Sequence, residues 1–234
     1  ICDLGIVGLN VVEEKRLGRE HEGRETLFDR VCDLDFGHCR LAIAAPEETP
    51  YTGLESLENS VIATSYVSLL RDFLERNEIE ARIEYFSGAV EIAPKLGKAD
   101  FICDLVSTGS TLAANGLSER EVLLESEAVI IQTRAPLPDD KQELVGRILQ
   151  RLDGVLQVHE SKYIMLHAPR KALEEIRKLL PGSEAPTVIP LEGTNDKVAV
   201  HAVCRENVFW ETLENLKAAG ASSLLVLPVE KMLV

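Results

Sequence analysis

Phe101, Ile102, Cys103, Leu105 and Val106 form a short apolar run that stops at Ser107-Thr108-Gly109-Ser110-Thr111. An apolar run of this length bounded by a turn reads as a buried strand. Small hydroxyl residues ahead of another apolar stretch read as a helix start. A buried strand that feeds a helix is one unit of an α/β domain, if strands and helices alternate around it. The turn gathers four hydroxyls, and a helix N-terminus adds unpaired N–H donors and a partial positive charge. Gly109 lets a backbone approach an anion closely, and ionised Asp104 is an acceptor suited to sugar hydroxyls. From spacing alone the segment is either a phosphate cradle or an ordinary strand-turn-helix with a hydroxyl cap. It is not a Walker A loop, and its one glycine excludes the dinucleotide fingerprint.

The surrounding chain repeats the alternation. Residues 1–7 read as a strand, Gly8 turns into a short helix, and Glu13–Glu25 reads as a weak helix end and loop. Two strand-like runs follow within Leu27–Ala45, then a loop over Pro46–Asn59. Val61–Ser65 reads as a strand and Tyr66–Asn77 as a helix with Leu69, Leu70, Phe73 and Leu74 at helical spacing. A strand over Ala81–Phe86 and a helix near Ala89–Leu96, interrupted by Pro94, precede the Asp104 strand. This pattern predicts an α/β domain with a largely parallel sheet and a ligand crevice at the strands' carboxyl ends. Glu121–Arg134 reads as one long strand-like run. A helix from Lys141 to about Leu152 follows, closed by Gly154. Residues 159–234 read as β-α-β-β-α-β, with helices Arg170–Leu180 and Glu206–Ala219 stopped by Gly182 and Gly220. Trp210, on the second of these helices, reads as domain packing.

The net charge of −14 argues against nucleic-acid binding, which needs a basic face. An anionic substrate would therefore be met by local donors and a metal rather than by the overall field. No run approaches the ~18 apolar residues of a membrane span. The five cysteines are odd in number and contain no C-x-x-C, which reads as reduced thiols in a cytoplasmic protein. The five histidines are scattered without metal-ligand spacing, and no metal site is expected among them.

Acidic residue, spacer and T-G-x-T (Thr108–Thr111) resemble the phosphoribosyl-diphosphate loop of phosphoribosyltransferases. The whole of 99–117, A-D-F-I-C-D-L-V-S-T-G-S-T-L-A-A-N-G-L, resembles the signature of ATP phosphoribosyltransferase, which opens histidine biosynthesis. Further segments match that family in order: D-L-G-I-V-G (3–8), L-D-F-G-H-C-R-L (34–41), I-A-T-S-Y (62–66), G-A-V-E-I-A-P (88–94), E-S-K-Y-I-M-L-H-A-P (160–169) and G-A-S-S-L-L-V-L-P-V-E-K-M (220–232). The last two resemble the long form, with its C-terminal regulatory domain. The resemblance implies a two-lobed, type II periplasmic-binding-like catalytic part, 1–38 with 119–157 as the first lobe and 39–118 as the second. It implies a ferredoxin-like regulatory domain over 158–234. The family's opening strand has no counterpart here, so the chain is expected to lack an N-terminal segment. Val61 stands where the family has a basic residue, and Val67 where proline is common. These changes remove positive charge near the expected polyphosphate.

The implied reaction condenses ATP, at N1, with 5-phosphoribosyl 1-diphosphate, releasing diphosphate, with Mg²⁺ held mainly by substrate oxygens. Asp104 is implied at the ribose hydroxyls, and Glu91 near the ribose or the metal. Ser107, Thr108, Gly109, Ser110, Thr111 and Leu112 are implied at the 5-phosphate. Tyr66 either stacks on adenine or covers the core. Asp3, with Gly5, reaches toward the cleft, and Arg40 is either a cation near diphosphate or a hinge salt bridge. Tyr163, His167, Thr187 and Ser222 are implied at an inhibitory histidine site or a sheet-to-sheet contact, in a homo-oligomer running from dimer to hexamer. The competing readings are a non-catalytic two-lobed binding protein and a truncated chain that only senses histidine.

Overall fold

The computed structural model describes residues 2–156, 161–180 and 186–230. The reading of Gly182 as a helix stop lies outside them, and so does the side chain of Trp210. The chain divides into two compact units, Ile1–Asp139 and Asp140–Val234.

The first unit runs β1 (Leu4–Gly8), α1 (Leu9–His21), β2 (Phe28–Asp33), β3 (Cys39–Pro46), β4 (Val61–Thr64), α2 (Val67–Arg76), β5 (Arg82–Tyr85), β6 (Phe101–Val106), α3 (Ser110–Ala114), β7 (Leu117–Ser126) and β8 (Ala128–Thr133). These strands make two sheets, one in order β1-β8-β2 and one in order β5-β4-β6-β3-β7. The expected largely parallel sheet is in fact mixed. β4 runs parallel to β5 and β6, but β3 runs antiparallel to both β6 and β7. The reason is the path between sheets. The chain crosses into the larger sheet at β3 and leaves along β7, and Cys39 at the start of one pairs with Ser126 at the end of the other. Neighbouring inbound and outbound strands must be antiparallel.

The run read as one strand over Glu121–Arg134 is broken at Glu127, where the return crossing lies. Across it Leu34 N–H donates to Ala128 O, Ala128 N–H to Phe36 O, and Asp35 N–H to the Glu127 carboxylate at 2.8 Å. The expected helix near Ala89–Leu96 is only a 3₁₀ turn, Val90–Ile92, which begins from Ala89 in the left-handed region at φ 51°. The weak helix end expected at Glu13–Glu25 is a full thirteen-residue helix to His21, with Gly18 inside it.

The core of the larger sheet is Leu41, Ile43, Ile62, Leu70, Phe101 and Cys103, all buried. Opposite side chains alternate onto a second cluster of Ala42, Ala44, Ala63, Ile102 and Val106. β6 is therefore covered on both faces along Phe101–Cys103 and at Val106, and half-buried Asp104 interrupts its apolar run.

The second unit holds α4 (Asp139–Leu156), β9 (Ser161–Pro169), α5 (Leu173–Leu179), β10 (Thr187–Pro190), β11 (Lys197–Arg205), α6 (Glu206–Ala218) and β12 (Ser222–Pro228). Gly154 does not end α4, which continues to Leu156. One glycine weakens a helix by ~1 kcal/mol without breaking it. The sheet order β10-β11-β9-β12, all antiparallel, is the ferredoxin-like βαββαβ arrangement. Ile164, Leu166, Val198 and Val200 face Ile176 and Leu216 of the helices. Among the described residues no helix is long and apolar enough to cross a membrane.

Candidate functional site

β6 ends in a loop that turns through Gly109, at φ 78°, into α3. The left-handed backbone, not crowding, calls for glycine here, since a Cβ would meet nothing within 4 Å. Ser107, Thr108, Ser110 and Thr111 are exposed, whereas Leu112 is buried and anchors the turn. The Thr108 and Ser110 hydroxyls lie 3.0 Å apart. A cavity of about 180 Å³ is lined by Glu91 and Asp104 through Leu112.

Asp104 is half-buried, and one carboxylate oxygen accepts the Leu105 N–H at 2.8 Å. Burial pushes its carboxyl above the ordinary aspartate range. The Leu105 hydrogen bond opposes the rise and the charge of Glu91 adds to it. Such a shift in a cleft is a mark of functional sites.

Thr64, at the end of β4, donates to the Cys103 carbonyl at 2.7 Å and accepts the Tyr66 N–H at 2.9 Å. The start of α2 is thereby tied to the residue before Asp104. The Tyr66 phenol accepts from the Asn10 side-chain amide at 3.0 Å. Its pKa is raised, first by burial, with the Asn10 hydrogen bond opposing and the Asp104 charge assisting. Tyr66 thus lies within electrostatic reach of Asp104.

Arg40 on β3 makes a two-pronged ion pair with Glu119 on β7, at 2.7 and 2.6 Å. Its third nitrogen donates to the Ser107 carbonyl at 3.4 Å, bracing the first residue of the loop. Asp3 and Gly5 sit on the smaller sheet, where the Asp3 carbonyl accepts the Thr133 N–H. They are not among the residues that line the cavity.

In the second unit, Tyr163 and His167 lie on β9, Thr187 on β10 and Ser222 on β12. Their strand partners put all four on the sheet face turned away from Ile164, Leu166 and Val200. The same face holds His201, opposite Thr187 in register, with Nδ1 2.6 Å from the Tyr163 hydroxyl. Sequence reasoning passed over His201. Its signal was the alternation in 198–203, where Val198, Val200 and Ala202 are buried and His201 falls between them.

The structure also unites His38 with Asp35 and Glu127 at the crossing between sheets. Their ligand atoms lie within 4.8 Å of one another. His38 meets Asp35 at 3.2 Å, and both are well exposed. Sequence spacing held no hint of this group, because Glu127 comes from the opposite crossing.

A family model described as ATP phosphoribosyltransferase matches residues 1–154, and one described as HisG, C-terminal domain, matches residues 159–231. Among solved structures the chain is similar to the ATP phosphoribosyl transferase (HisG:HisZ) complex from Thermotoga maritima. Identity is 22% and TM-score 0.54, over 67% of this chain and 71% of that one. That likeness supports the fold. Weaker similarity extends to XAC2383 from Xanthomonas citri bound to ATP (13% identity, TM-score 0.48, 65% of this chain and 66% of that one). The Bordetella pertussis BvgS periplasmic VFT2 domain stands lower still (14%, 0.42, 67% and 66%). Neither of these two bears on the site.

Proposed function

Because this chain belongs to the ATP phosphoribosyltransferase family of histidine biosynthesis, we propose that it joins N1 of ATP to C1 of 5-phosphoribosyl 1-diphosphate. The observation that carries the site assignment is the cavity lined by Glu91 and the Asp104–Leu112 loop, with its hydroxyls exposed. Neutral donors hold a phosphate dianion without a cationic side chain, which suits a chain of net charge −14. Ser107, Thr108, Gly109, Ser110 and Thr111 take the 5-phosphate, with Leu112 as the buried anchor. Asp104 and Glu91 accept from the ribose hydroxyls.

As the adenine nitrogen's lone pair bonds to C1, the bond from C1 to diphosphate breaks and both its electrons leave with diphosphate. The transition state has oxocarbenium character at C1. No side-chain nucleophile is needed, so the protein's contribution is positioning and charge stabilisation. Tyr66 lies on the nucleotide side. Arg40 acts by bracing Ser107, which the ion pair with Glu119 supports over direct contact with diphosphate. Asp3 approaches the cleft from the smaller sheet.

Mg²⁺ fits this donor set. Every polar side chain that lines the cavity offers oxygen, and the mutual repulsion of Asp104 and Glu91 is what a divalent cation relieves. It would be held mainly by substrate oxygens with those two carboxylates nearest, and it would neutralise the departing diphosphate.

Histidine as an end-product inhibitor belongs to the same reading. Tyr163, His167, Thr187 and Ser222 share one open sheet face with His201, and that face also suits assembly into a homo-oligomer. Calorimetric titration with 5-phosphoribosyl 1-diphosphate, comparing wild type with Thr111→Val, tests the loop. Removing one phosphate-facing hydroxyl should weaken binding about tenfold. Equal affinities would remove the assignment.

A further inference from the structure

Asn10, Glu14 and Gly18 recur every four residues on α1 and form one stripe that faces the start of α2. Glu14 accepts the Ser68 N–H with one carboxylate oxygen and the Leu69 N–H with the other, both at 2.9 Å. At Gly18 a Cβ would stand 3.1 Å from the Ser68 hydroxyl, so the helices touch there. Asn10 is only 4% exposed. Its backbone N–H donates to the Ser126 hydroxyl at 3.0 Å, and that hydroxyl donates back to the Asn10 side-chain oxygen at 3.0 Å.

One proton order runs through this network. The Ser126 oxygen receives the Asn10 N–H and gives its own proton to the Asn10 side-chain oxygen. The Asn10 amide nitrogen then faces Tyr66, where it donates at 3.0 Å. A phenol oxygen that accepts from Asn10 keeps its own proton to donate elsewhere. Burial and the Asp104 charge both hold that phenol neutral.

Building on the reaction proposed above, we propose that Asn10 is a positioning residue that turns the Tyr66 phenol into a hydrogen-bond donor toward the cleft. The group selected there is an acceptor on the nucleotide, such as an unprotonated ring nitrogen or a phosphoryl oxygen. Asn10 touches no substrate. It acts through Tyr66, from a helix on the smaller sheet, and the Glu14 clamp holds the segment that carries Tyr66.

Asn10→Asp makes the test, because it is nearly isosteric and replaces the donor facing Tyr66 by an acceptor. The phenol proton then turns inward to the carboxylate. Calorimetry on the full chain should show ATP affinity about three- to tenfold weaker in Asn10→Asp. Affinity for 5-phosphoribosyl 1-diphosphate should stay within about twofold. Tyr66→Phe, which deletes only the hydroxyl, should give the same split, and the double variant should be no weaker than either single one. An Asn10→Asp chain that binds ATP like wild type, or loses both ligands equally, overturns the inference and leaves the proposed reaction standing. Additive losses in the double variant overturn it as well. Wild type that binds neither ligand sinks the proposed reaction together with this inference. If Asn10→Asp fails to fold, Tyr66→Phe alone decides, and unchanged ATP affinity there overturns the role.

Discussion

Asp104 carries a carboxyl that burial and the nearby charge of Glu91 push above the ordinary aspartate range, and the sign of that shift sets a pH dependence. A group whose folded pKa is raised supports the fold fully below its unfolded pKa. That support is lost as pH rises through the folded value. The window thus opens near 3.8, the ordinary value, and extends upward. Asp104→Asn removes the titration. The melting temperature of Asp104→Asn relative to wild type should therefore rise as pH climbs through this window and then level off. Parallel melting curves from acid to neutral pH would show that the charge costs the fold nothing. The same variant replaces the carboxylate's second acceptor oxygen by an amide donor, so stability gained at neutral pH should come with weaker sugar binding. Local chemistry made this residue legible in the sequence, because hydroxyls and glycine follow the acid after a spacer of only Leu105 and Val106. Asn10 was illegible, since its partners Tyr66 and Ser126 lie 56 and 116 residues away. Nothing in the stretch around it marks it apart from an ordinary first-turn residue.

α2 begins at Val67 after Tyr66, whose side chain makes no capping hydrogen bond. Its amphipathic spacing, with Leu69, Leu70 and Leu74 buried, was visible in the sequence, but its cap was not. Glu14 of α1 supplies that cap from outside, with a carboxylate on two N–H groups at the positive end of the helix. Glu14→Ala should cost ~1 kcal/mol, the usual range for a lost N-cap being roughly 0.5–2 kcal/mol. The urea midpoint should fall with an unchanged slope. A midpoint equal to wild type would show that solvent caps α2 equally well. Gly18, which by itself reads as a helix-weakening residue, is explained by the same contact with Ser68. The 3₁₀ turn at Val90–Ile92 went the other way. Its apolar spacing resembled a helix, but left-handed Ala89 precedes it and Pro94 has no N–H to return to Val90, so the segment continues only as turns.

At the scale of the chain there are two compact units, and each has a buried cluster of its own. In Asp140–Val234 the sheet residues Ile164, Leu166, Val198 and Val200 pack on Ile176 and Leu216 within the unit. Expressed alone, residues 140–234 should therefore melt cooperatively by circular dichroism. A broad, featureless melt would mean that this core depends on the rest of the chain. The sequence by itself determined most of the local order of strands and helices, the strand-to-loop junction after Val106, the βαββαβ order of the second unit and the family. Hydrophobic period, turn chemistry and short motifs depend on residues within one or two turns of each other, and these survive in a linear reading. The tertiary structure alone decided that β3 and β7 run antiparallel, that His38 meets Asp35 and Glu127, and that α1 caps α2 and orients Tyr66. Those outcomes turn on the path between two sheets and on side chains separated by many tens of residues. They come from how finished elements pack, which no local pattern encodes.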